Sequence, residues 1–391
     1  MPAATIQTSV PPQKTILVVR RRYVGDLILT KPVFANLRRH WPGAWITAVV
    51  DEGFRELAAW HSDVNEVLEI PRQKKSEWFW VYWMRWMRFL RTLRLRPFDL
   101  AFDLTQNTRS ALVTLLSGAP RRVSYWIEQE RGWHHRCYHD CVFWSWQDHA
   151  DFHMVDLLLK PLEKEGIPIV TRDISVEVPA AMSERVRQKL SDLCADNQST
   201  TVLIHPGART RPKLWPVENF AAVADRIQSE LGAQVLFTSG RSEMQVVWAI
   251  VSRMKMKPAV YPAPESFSEL AVLLKEADVF LGHDSGPMHI AAAVGTPVVA
   301  LFGAQDPHLW GPWGENHIAL RASLPCQPCL APQLCRPPAP ANVYCVRQTR
   351  IDEVLDAIAT QLARLETPTP VVLATKAARP RTTTKKRKRA G

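Results

Sequence analysis

The chain has 391 residues, of which 46% are hydrophobic and 22% are charged, a composition typical of a globular protein large enough for two domains. No apolar run approaches the roughly 18 residues that a membrane-spanning helix needs, and residues 1–14 lack the apolar core of a signal peptide. We therefore expect a cytoplasmic protein with reduced cysteines. The net charge is +11, but residues 376–391 carry eight basic side chains and no acidic one. We expect this tail to be disordered. It either binds nucleic acid, anionic lipid or phosphorylated glycolipid, or it only keeps the chain in solution.

In the first half of the chain, apolar segments alternate with helical patterns. The first strand, residues 16–19, leads through three arginines into a helix predicted over residues 27–40, which Trp41, Pro42 and Gly43 end. Further strands are predicted at residues 45–50 and 98–104. This alternation predicts a doubly wound parallel sheet.

The second half repeats the pattern, which predicts a second Rossmann-like half joined to the first near residues 175–200. A last amphipathic helix is predicted at residues 351–365. The remaining strands are predicted at residues 201–205, 234–238, 277–281 and 298–302, and the helices at residues 217–231, 243–254, 267–276 and 290–294.

Several common catalytic motifs are absent from the sequence. No G-x-G-x-x-G follows the first strand, which argues against a nicotinamide or flavin enzyme. The sequence contains no G-x-x-x-x-G-K-[ST], which excludes a P-loop enzyme. It also contains no G-x-S-x-G, which argues against a serine hydrolase.

Residues 76–96 form a helical segment rich in tryptophan and arginine. Tryptophan and arginine together are typical of a membrane interface, but a core helix with a solvated arginine face would show the same pattern. Helical projection puts Phe79, Tyr82, Trp83, Trp86, Phe89, Leu90 and Leu93 on one face and Arg85, Arg88, Arg91 and Arg94 broadly opposite.

Asp26 follows the first strand and opens a helix, so it is predicted to lie at the carboxyl edge of the sheet, where open α/β folds bind ligands. Backbone N–H groups of the helix end favour its ionised form, which can accept a proton. The alternative is a plain helix cap.

Two loops of the second half have the residue types of a nucleotide site. The loop Gly207, Ala208 and Arg209, with Lys213 soon after, allows close backbone approach to phosphate and supplies positive charge. Glu243, beyond the next strand, is placed to hold ribose hydroxyls. Ordinary surface loops would explain each piece in isolation.

The segment Asp284, Ser285 and Gly286 turns from a strand into a helix, with His289 one turn further on the same side. Because a helix N-terminus offers unpaired N–H groups and a positive dipole end, this turn predicts a diphosphate site. A plain capped helix is the alternative.

Four cysteines, Cys326, Cys329, Cys335 and Cys345, lie within 20 residues of one another. Their spacing fits a structural zinc site, although a reduced, metal-free loop fits equally.

Together these motifs resemble glycosyltransferase family 9, the ADP-heptose:lipopolysaccharide heptosyltransferases. The resemblance covers most of residues 14–366, and the residues of the motifs are most similar to those of the heptosyltransferase III branch. It rests on Arg22-Tyr-Val-Gly-Asp26 with Leu29-Thr-Lys-Pro-Val33, on His205-Pro-Gly-Ala-Arg209 with Lys213-Leu-Trp-Pro216, and on Asp284-Ser-Gly-Pro-Met-His289 with Leu301-Phe-Gly-Ala-Gln-Asp306.

The resemblance implies a GT-B fold, two Rossmann-like doubly wound domains facing a cleft, and inverting transfer without a catalytic metal or cofactor. It implies an acceptor-binding domain at residues 14–185 and a nucleotide-sugar-binding domain at 186–350. Outside them we expect a flexible N-terminus at residues 1–13, a C-terminal helix at 351–366 and a disordered basic tail at 367–391.

By the same resemblance, Asp26 is the base that takes the acceptor proton and Lys213 neutralises the leaving diphosphate. The donor ADP-heptose is expected to contact Gly207, Ala208, Arg209, Glu243, Asp284, Ser285, Gly286 and His289. The family often has threonine or serine where this chain has Gly207 and Ala208, so backbone N–H groups must replace those hydroxyls or their contacts are lost. The acceptor, a phosphorylated lipid A–Kdo core, is expected to contact Arg20, Arg21, Arg22, Arg109, Arg121 and Arg122.

These implications predict a monomeric heptosyltransferase of lipopolysaccharide synthesis, peripheral on the inner face of the inner membrane, with no specific nucleic-acid partner. Two alternatives stay open: a transferase using another nucleotide sugar, and a non-catalytic module that binds glycolipid or nucleic acid.

Overall fold

The computed structural model describes residues 14–127, 132–145, 152–193, 199–324 and 345–366. The predicted flexible N-terminus and basic tail lie outside the described residues.

The first half contains a six-stranded parallel sheet. Its outer strands include segments with polar side chains that the sequence patterns did not predict. The strands are β1 (Thr15–Val19), β2 (Trp45–Asp51), β3 (Glu66–Ile70), β4 (Leu100–Asp103), β5 (Arg121–Ile127) and β6 (Asp140–Trp144), in the spatial order β3-β2-β1-β4-β5-β6.

Helices connect these strands and cover the sheet. The predicted single helix over residues 27–40 is wrong, because it is broken before Lys31. Pro32 lacks an N–H and its ring clashes with the carbonyl four residues earlier, so it opens a new helix instead of continuing the first. The helices are α1 (Val24–Ile28), α2 (Lys31–His40), α3 (Arg55–Ala59), α4 (Phe79–Arg94), α5 (Thr108–Leu116) and α6 (Met154–Lys164).

The second half has the same topology. Its strands are β7 (Thr201–His205), β8 (Gln234–Phe237), β9 (Ala259–Val260), β10 (Val279–His283), β11 (Val298–Phe302) and β12 (His317–Arg321), in the order β12-β11-β10-β7-β8-β9. Its helices are α7 (Ala180–Leu193), α8 (Val217–Glu230), α9 (Met244–Val251), α10 (Phe267–Lys275), α11 (Gly286–Val294), α12 (Pro307–Trp310) and α13 (Ile351–Glu366).

Each sheet therefore has the Rossmann strand order, with β1 and β7 at equivalent central positions. Their apolar runs are fully buried, as expected for parallel strands covered on both faces: residues 16–19 and 202–204 are all 0% exposed. The predicted α/β architecture, two doubly wound domains of GT-B type, is confirmed.

The connection between the halves ends at α7. Two side chains of this helix form ion pairs with the second half. Lys189 pairs with Glu269 in α10, and Arg187 pairs with Glu276, the residue that follows α10. The boundary expected at residues 185–186 falls inside α7, which packs on α10 of the second half, and the division of the chain into domains stays a prediction.

The tryptophan-rich helix α4 is only partly packed. Phe89 and Leu93 are buried, and Trp86 and Leu90 pack against the same cluster. The predicted core face is wrong for the first turns, because Phe79 and Trp83 are exposed there. Among the described residues, no helix combines the length and apolarity needed to cross a bilayer.

Candidate active site

The segments that follow β1, β2, β7, β8 and β10 line one cavity of about 1140 Å³ between the two halves. Both sheets therefore present their carboxyl edges to this cleft, where doubly wound folds bind ligands. The ten residues predicted to act in catalysis or donor binding all line it: Asp26, Gly207, Ala208, Arg209, Lys213, Glu243, Asp284, Ser285, Gly286 and His289.

Asp26 lies in the first turn of α1 and is held by a nearly buried arginine. The Arg20 Nη2 atom donates to Asp26 Oδ1 at 2.8 Å, and the Arg20 Nε atom donates to the Asp26 carbonyl oxygen at 3.4 Å. Burial raises the pKa of Asp26, and the positive charges of Arg20, Arg209 and Arg22 offset part of that rise. A carboxylate with a raised pKa is a stronger base than an ordinary aspartate, which suits proton abstraction.

The backbone just before Asp26 is strained. Tyr23 has a φ of 60°, and among the described residues only Tyr23 and Gln106 are non-glycines with positive φ. The Arg209 guanidinium lies 4.0 Å from the centre of the Tyr23 ring, a cation–π contact that joins the two halves. Strain of this kind is kept only where the surroundings enforce it, and here it fixes the entry to the helix of Asp26.

A smaller cavity of about 250 Å³ adjoins Asp26; residues of the first half form most of its lining, and Leu309 and Trp310 of α12 complete it. Both strained residues, Tyr23 and Gln106, line it, together with Arg22 and Asn107. The Gln106 Nε2 atom is buried without a hydrogen-bond partner among the described residues, so it can donate to a bound hydroxyl. The lining is mixed: these polar side chains lie beside apolar ones such as Trp144 and Trp310, a combination that can bind the hydroxyls and the ring face of a sugar.

Of the predicted acceptor arginines in the first half, only some are available to a ligand. Arg20 pairs with Asp26, and both nitrogens of the Arg21 fork donate to Asp51, at 2.7 and 3.3 Å. Arg22 is exposed and lines the small cavity. Arg109 is exposed in the first turn of α5.

Arg121 and Arg122 lie elsewhere. They begin β5, level with Leu100 and Ala101 at the start of β4, and so occupy the amino edge of the sheet, opposite the cleft. Arg121 pairs with Glu165 at 2.6 Å. The structure does not bring these two arginines together with Asp26.

Lys213 faces the same cavity from the second half. Its Nζ atom lies 2.5 Å from Asp284 Oδ2 and 3.1 Å from the Asp284 carbonyl oxygen. The loop that carries it is fixed by His283, whose Nε2 atom accepts from the Trp215 backbone N–H at 2.9 Å. Burial lowers the pKa of His283 to about 3, so its ring is neutral and can accept.

The N-terminus of α11 points unpaired groups at the cavity. Ser285 is the N-cap, but its hydroxyl makes no capping bond and is buried without a partner among the described residues. The Nδ1 atom of His289 is likewise buried without one, and burial lowers the His289 pKa to about 3, so that ring is neutral. Hydroxyl, ring nitrogen and free helix N–H groups can together bind an anion.

The two halves touch closely at this point. A Cβ added to Gly286 would come within 2.6 Å of Val24 Cβ, and one added to Gly25 within 2.3 Å of His289 Cδ2. Only glycine at these positions lets α1 and α11 approach, which sets the distance between Asp26 and the N-terminus of α11.

Glu243 lies at the N-cap of α9, where Ser239 donates to its carboxylate at 3.4 Å. Burial raises its pKa. Its place at the end of β8, beside the loop of Gly207 and Ala208, fits the predicted contact with ribose hydroxyls.

Several lining residues were missed from the sequence. Glu56, Phe267 and Trp310 line the main cavity, and Gln106 lines the smaller one. Glu56 lies in the short helix α3 and Gln106 in the loop after β4, and no motif of the sequence singles out either residue, so only the fold shows that they reach the cleft.

The predicted zinc site is largely outside the described residues, because Cys326, Cys329 and Cys335 are not among them. Cys345 begins a one-turn helix, Cys345–Gln348. Zinc binding stays a prediction.

Comparison with known proteins adds to this geometry. Residues 86–337 match glycosyltransferase family 9 (heptosyltransferase). Lipopolysaccharide heptosyltransferase 3 of Escherichia coli K12 is 31% identical over 302 residues, which cover 76% of this chain and 85% of that protein.

Solved structures of the family share the fold. The glycosyl transferase family 9 protein from Veillonella parvula superposes with a TM-score of 0.75 at 22% identity, covering 90% of this chain and 98% of its own. The E. coli heptosyltransferase WaaC, solved with ADP, gives a TM-score of 0.65 at 21% identity over 89% and 99% of the two chains.

Proposed function

Because this chain belongs to glycosyltransferase family 9 and is therefore a glycosyltransferase of the heptosyltransferase type, we propose that it transfers heptose from ADP-heptose to the lipopolysaccharide inner core. The acceptor we propose is a hydroxyl of the phosphorylated lipid A–Kdo core. The enzyme would act as a cytoplasmic monomer, peripheral on the inner face of the inner membrane.

The observation that carries the proposal is the position of Asp26 in one cavity with Lys213 and the N-terminus of α11. Asp26 removes the proton from the acceptor hydroxyl. The hydroxyl oxygen then bonds to the anomeric carbon as the bond from that carbon to ADP breaks. ADP leaves with the electron pair of the broken bond.

Positive charge in the second half stabilises the leaving diphosphate. Lys213, Ser285 and the start of α11 all line the cavity, and the ammonium, the hydroxyl and the helix N–H groups would stabilise the charge that develops on the diphosphate. Since these groups neutralise the diphosphate, we propose that transfer requires no catalytic metal and no cofactor. A single displacement from the side of Asp26 inverts the anomeric centre.

In this proposal the second half binds the nucleotide of the donor, and the first half binds the acceptor. Glu243 would hold the ribose hydroxyls, while backbone N–H groups of Gly207 and Ala208 approach the phosphates. Arg22, Gln106 and Asn107 in the smaller cavity would bind the acceptor. The neutral His289 ring beside Gly25 would contact the transferred sugar.

The variant Asp26→Asn tests the base. We expect kcat for transfer from ADP-heptose to a delipidated core acceptor to fall by about 10³-fold, because the amide cannot take the proton. ADP affinity, measured by titration calorimetry, should be unchanged. Unchanged kcat would overturn the role of Asp26.

The identity of the donor needs a separate experiment. ADP, UDP, GDP and CMP are compared for their effect on the melting temperature, since a ligand that binds only the folded state raises it. We expect stabilisation by ADP. Stabilisation by UDP but not ADP would overturn the proposed donor.

A further inference from the structure

One end of α4 forms a large exposed aromatic surface that the active site does not use. We define the α4 tip as Trp78–Met84. Trp78, Phe79, Trp80 and Trp83 are 79%, 60%, 68% and 50% exposed, and Met84 is exposed beside them. Apolar side chains grouped in this way on a surface mark an interaction site.

The α4 tip overhangs the edge of the sheet that faces the cleft. Arg96, beyond the other end of the helix, donates to Glu66 at the start of β3, whereas Arg85 pairs with Glu52, just after the end of β2. The helix thus runs the full height of the sheet between these pairs. The part of α4 before Arg85, together with its N-cap Trp78, therefore extends beyond the carboxyl edge by up to about 10 Å at 1.5 Å per residue.

The tip is held firmly on its inner side. The rings of Tyr82, Trp86 and Phe89 form an edge-to-face series with centroids 6.5 and 5.6 Å apart, and Phe89 is buried in the core. Two ion pairs of Arg85, to Glu52 and Glu77, fix the same turn. The outer tryptophans are therefore displayed by a rigid support.

Basic side chains surround the tip. Residues 72–96 contain eight lysines and arginines and one acidic residue. Lys75, Arg88 and Arg91 are exposed, and within the described parts of the chain no carboxylate pairs with any of them. Tryptophan at the surface of a rigid helix, with unpaired cations one to two turns away, is complementary to the interface of an anionic bilayer.

We infer that the α4 tip docks the enzyme on a bilayer of anionic phospholipid, with its tryptophans at headgroup depth and Arg88 and Lys75 against the phosphates. This inference rests on the proposed function for its purpose: docking by this edge turns the cleft toward the surface that carries a lipid-linked acceptor.

Quenching of tryptophan fluorescence by brominated acyl chains tests the inference on the full chain. The vesicles contain phosphatidylethanolamine and brominated phosphatidylglycerol in equal parts, and control vesicles contain brominated phosphatidylcholine alone. The basic tail has no tryptophan, so quenching reports the docking of aromatic residues rather than binding of the tail. We expect quenching by the anionic vesicles and little by the neutral ones.

The test variant combines Trp78→Ser, Trp80→Ser and Trp83→Ser, and we expect its vesicle affinity to fall by at least about tenfold because apolar contact area is lost. The matched control is Trp248→Ser, which removes a tryptophan that is 55% exposed on α9 and should bind vesicles like the parent chain. Equal quenching of the triple variant and the parent chain, or of anionic and neutral vesicles, would overturn the inference. So would a lipid-free dimer, seen by light scattering, that the triple variant abolishes, since a second copy would then cover the tip.

Failure of docking can be told apart from failure of the proposed reaction. Asp26→Asn should bind vesicles like the parent chain while losing transfer. Vesicle binding by a chain that transfers no heptose would leave the docking surface intact and refute only the reaction.

Discussion

Two opposed effects act on the pKa of the Asp26 carboxyl group, which is buried and pairs with Arg20. Burial raises the Asp26 pKa, and the adjacent guanidinium lowers it by a smaller amount. Because only the ionised carboxylate can accept a proton, transfer should be lost on acidification as the pH falls through this raised pKa. The acid limb of the pH–rate profile therefore reports the balance between burial and Arg20.

We predict that Arg20→Gln moves that acid limb to higher pH, since it removes the charge that favours ionised Asp26. The measurement is kcat/KM for sugar transfer as a function of pH. Arg20→Lys keeps a positive charge and should restore most of the parent profile. An acid limb that stays in place in Arg20→Gln would show that another group controls it.

Lys213 pairs with Asp284 at 2.5 Å, and in the proposed reaction the same ammonium also meets the leaving diphosphate. We predict that Lys213→Ala lowers kcat by about 10²-fold, because positive charge at the leaving group is lost in the transition state. Single-turnover kinetics separate this step from product release. Lys213→Arg is the conservative control and should retain part of the rate; an alanine variant with unchanged kcat would remove Lys213 from the reaction.

Among the helices and strands, the sequence predicts the buried strands best. The bounds expected at residues 201–205 and 298–302 are those of β7 and β11, because central parallel strands are continuous apolar runs. The strands β5 and β6 were missed, since arginine, serine and aspartate interrupt their apolar pattern. The overhang of α4 was also missed, because periodicity gives a face but not the point where the supporting sheet ends.

Helix α10 is capped from both halves of the molecule. Its own Ser266 accepts from the Glu269 N–H at 3.1 Å, while the Glu56 carboxylate, from the other half, accepts from Phe267 N–H at 3.1 Å and Ser268 N–H at 2.7 Å. The Glu56 cap therefore links the two halves across the cleft at the N-terminus of α10.

We predict that Glu56→Ala and Ser266→Ala each reduce the free energy of unfolding by about 1 kcal/mol, measured by denaturant titration. Only Glu56→Ala should also widen the cleft, seen as a larger radius of gyration in X-ray scattering. An equal radius for both variants would show that the Glu56 contacts do not hold the halves together.

The repeated strand–helix pattern predicted two Rossmann-like halves, and the motifs at strand ends predicted which residues share the cleft. Contacts between the halves were beyond such patterns. The stacking of Arg209 on Tyr23 and the caps on α10 join residues far apart in the chain, and no local periodicity records which surfaces meet.

The two halves approach each other closely where α1 crosses α11, at Gly286 and Val24. A Cβ at Gly286 would overlap Val24, whose Cβ lies 2.6 Å from it, so Gly286→Ala must push the helices apart by about 1 Å relative to ordinary contact. A displacement of that size between Asp26 and the leaving group should lower kcat by about 10²-fold. The same substitution at Gly43, which has open space around it, is the matched control and should leave kcat unchanged.

A double-mutant cycle tests whether Val24 causes the loss. Adding Val24→Gly to Gly286→Ala removes the overlapping atom and should recover much of the rate, which gives a coupling energy of about 1 kcal/mol or more. Additive losses in the cycle would instead mean that Gly286 matters through its own backbone at the N-terminus of α11, and that the approach of the two helices does not set the catalytic distance.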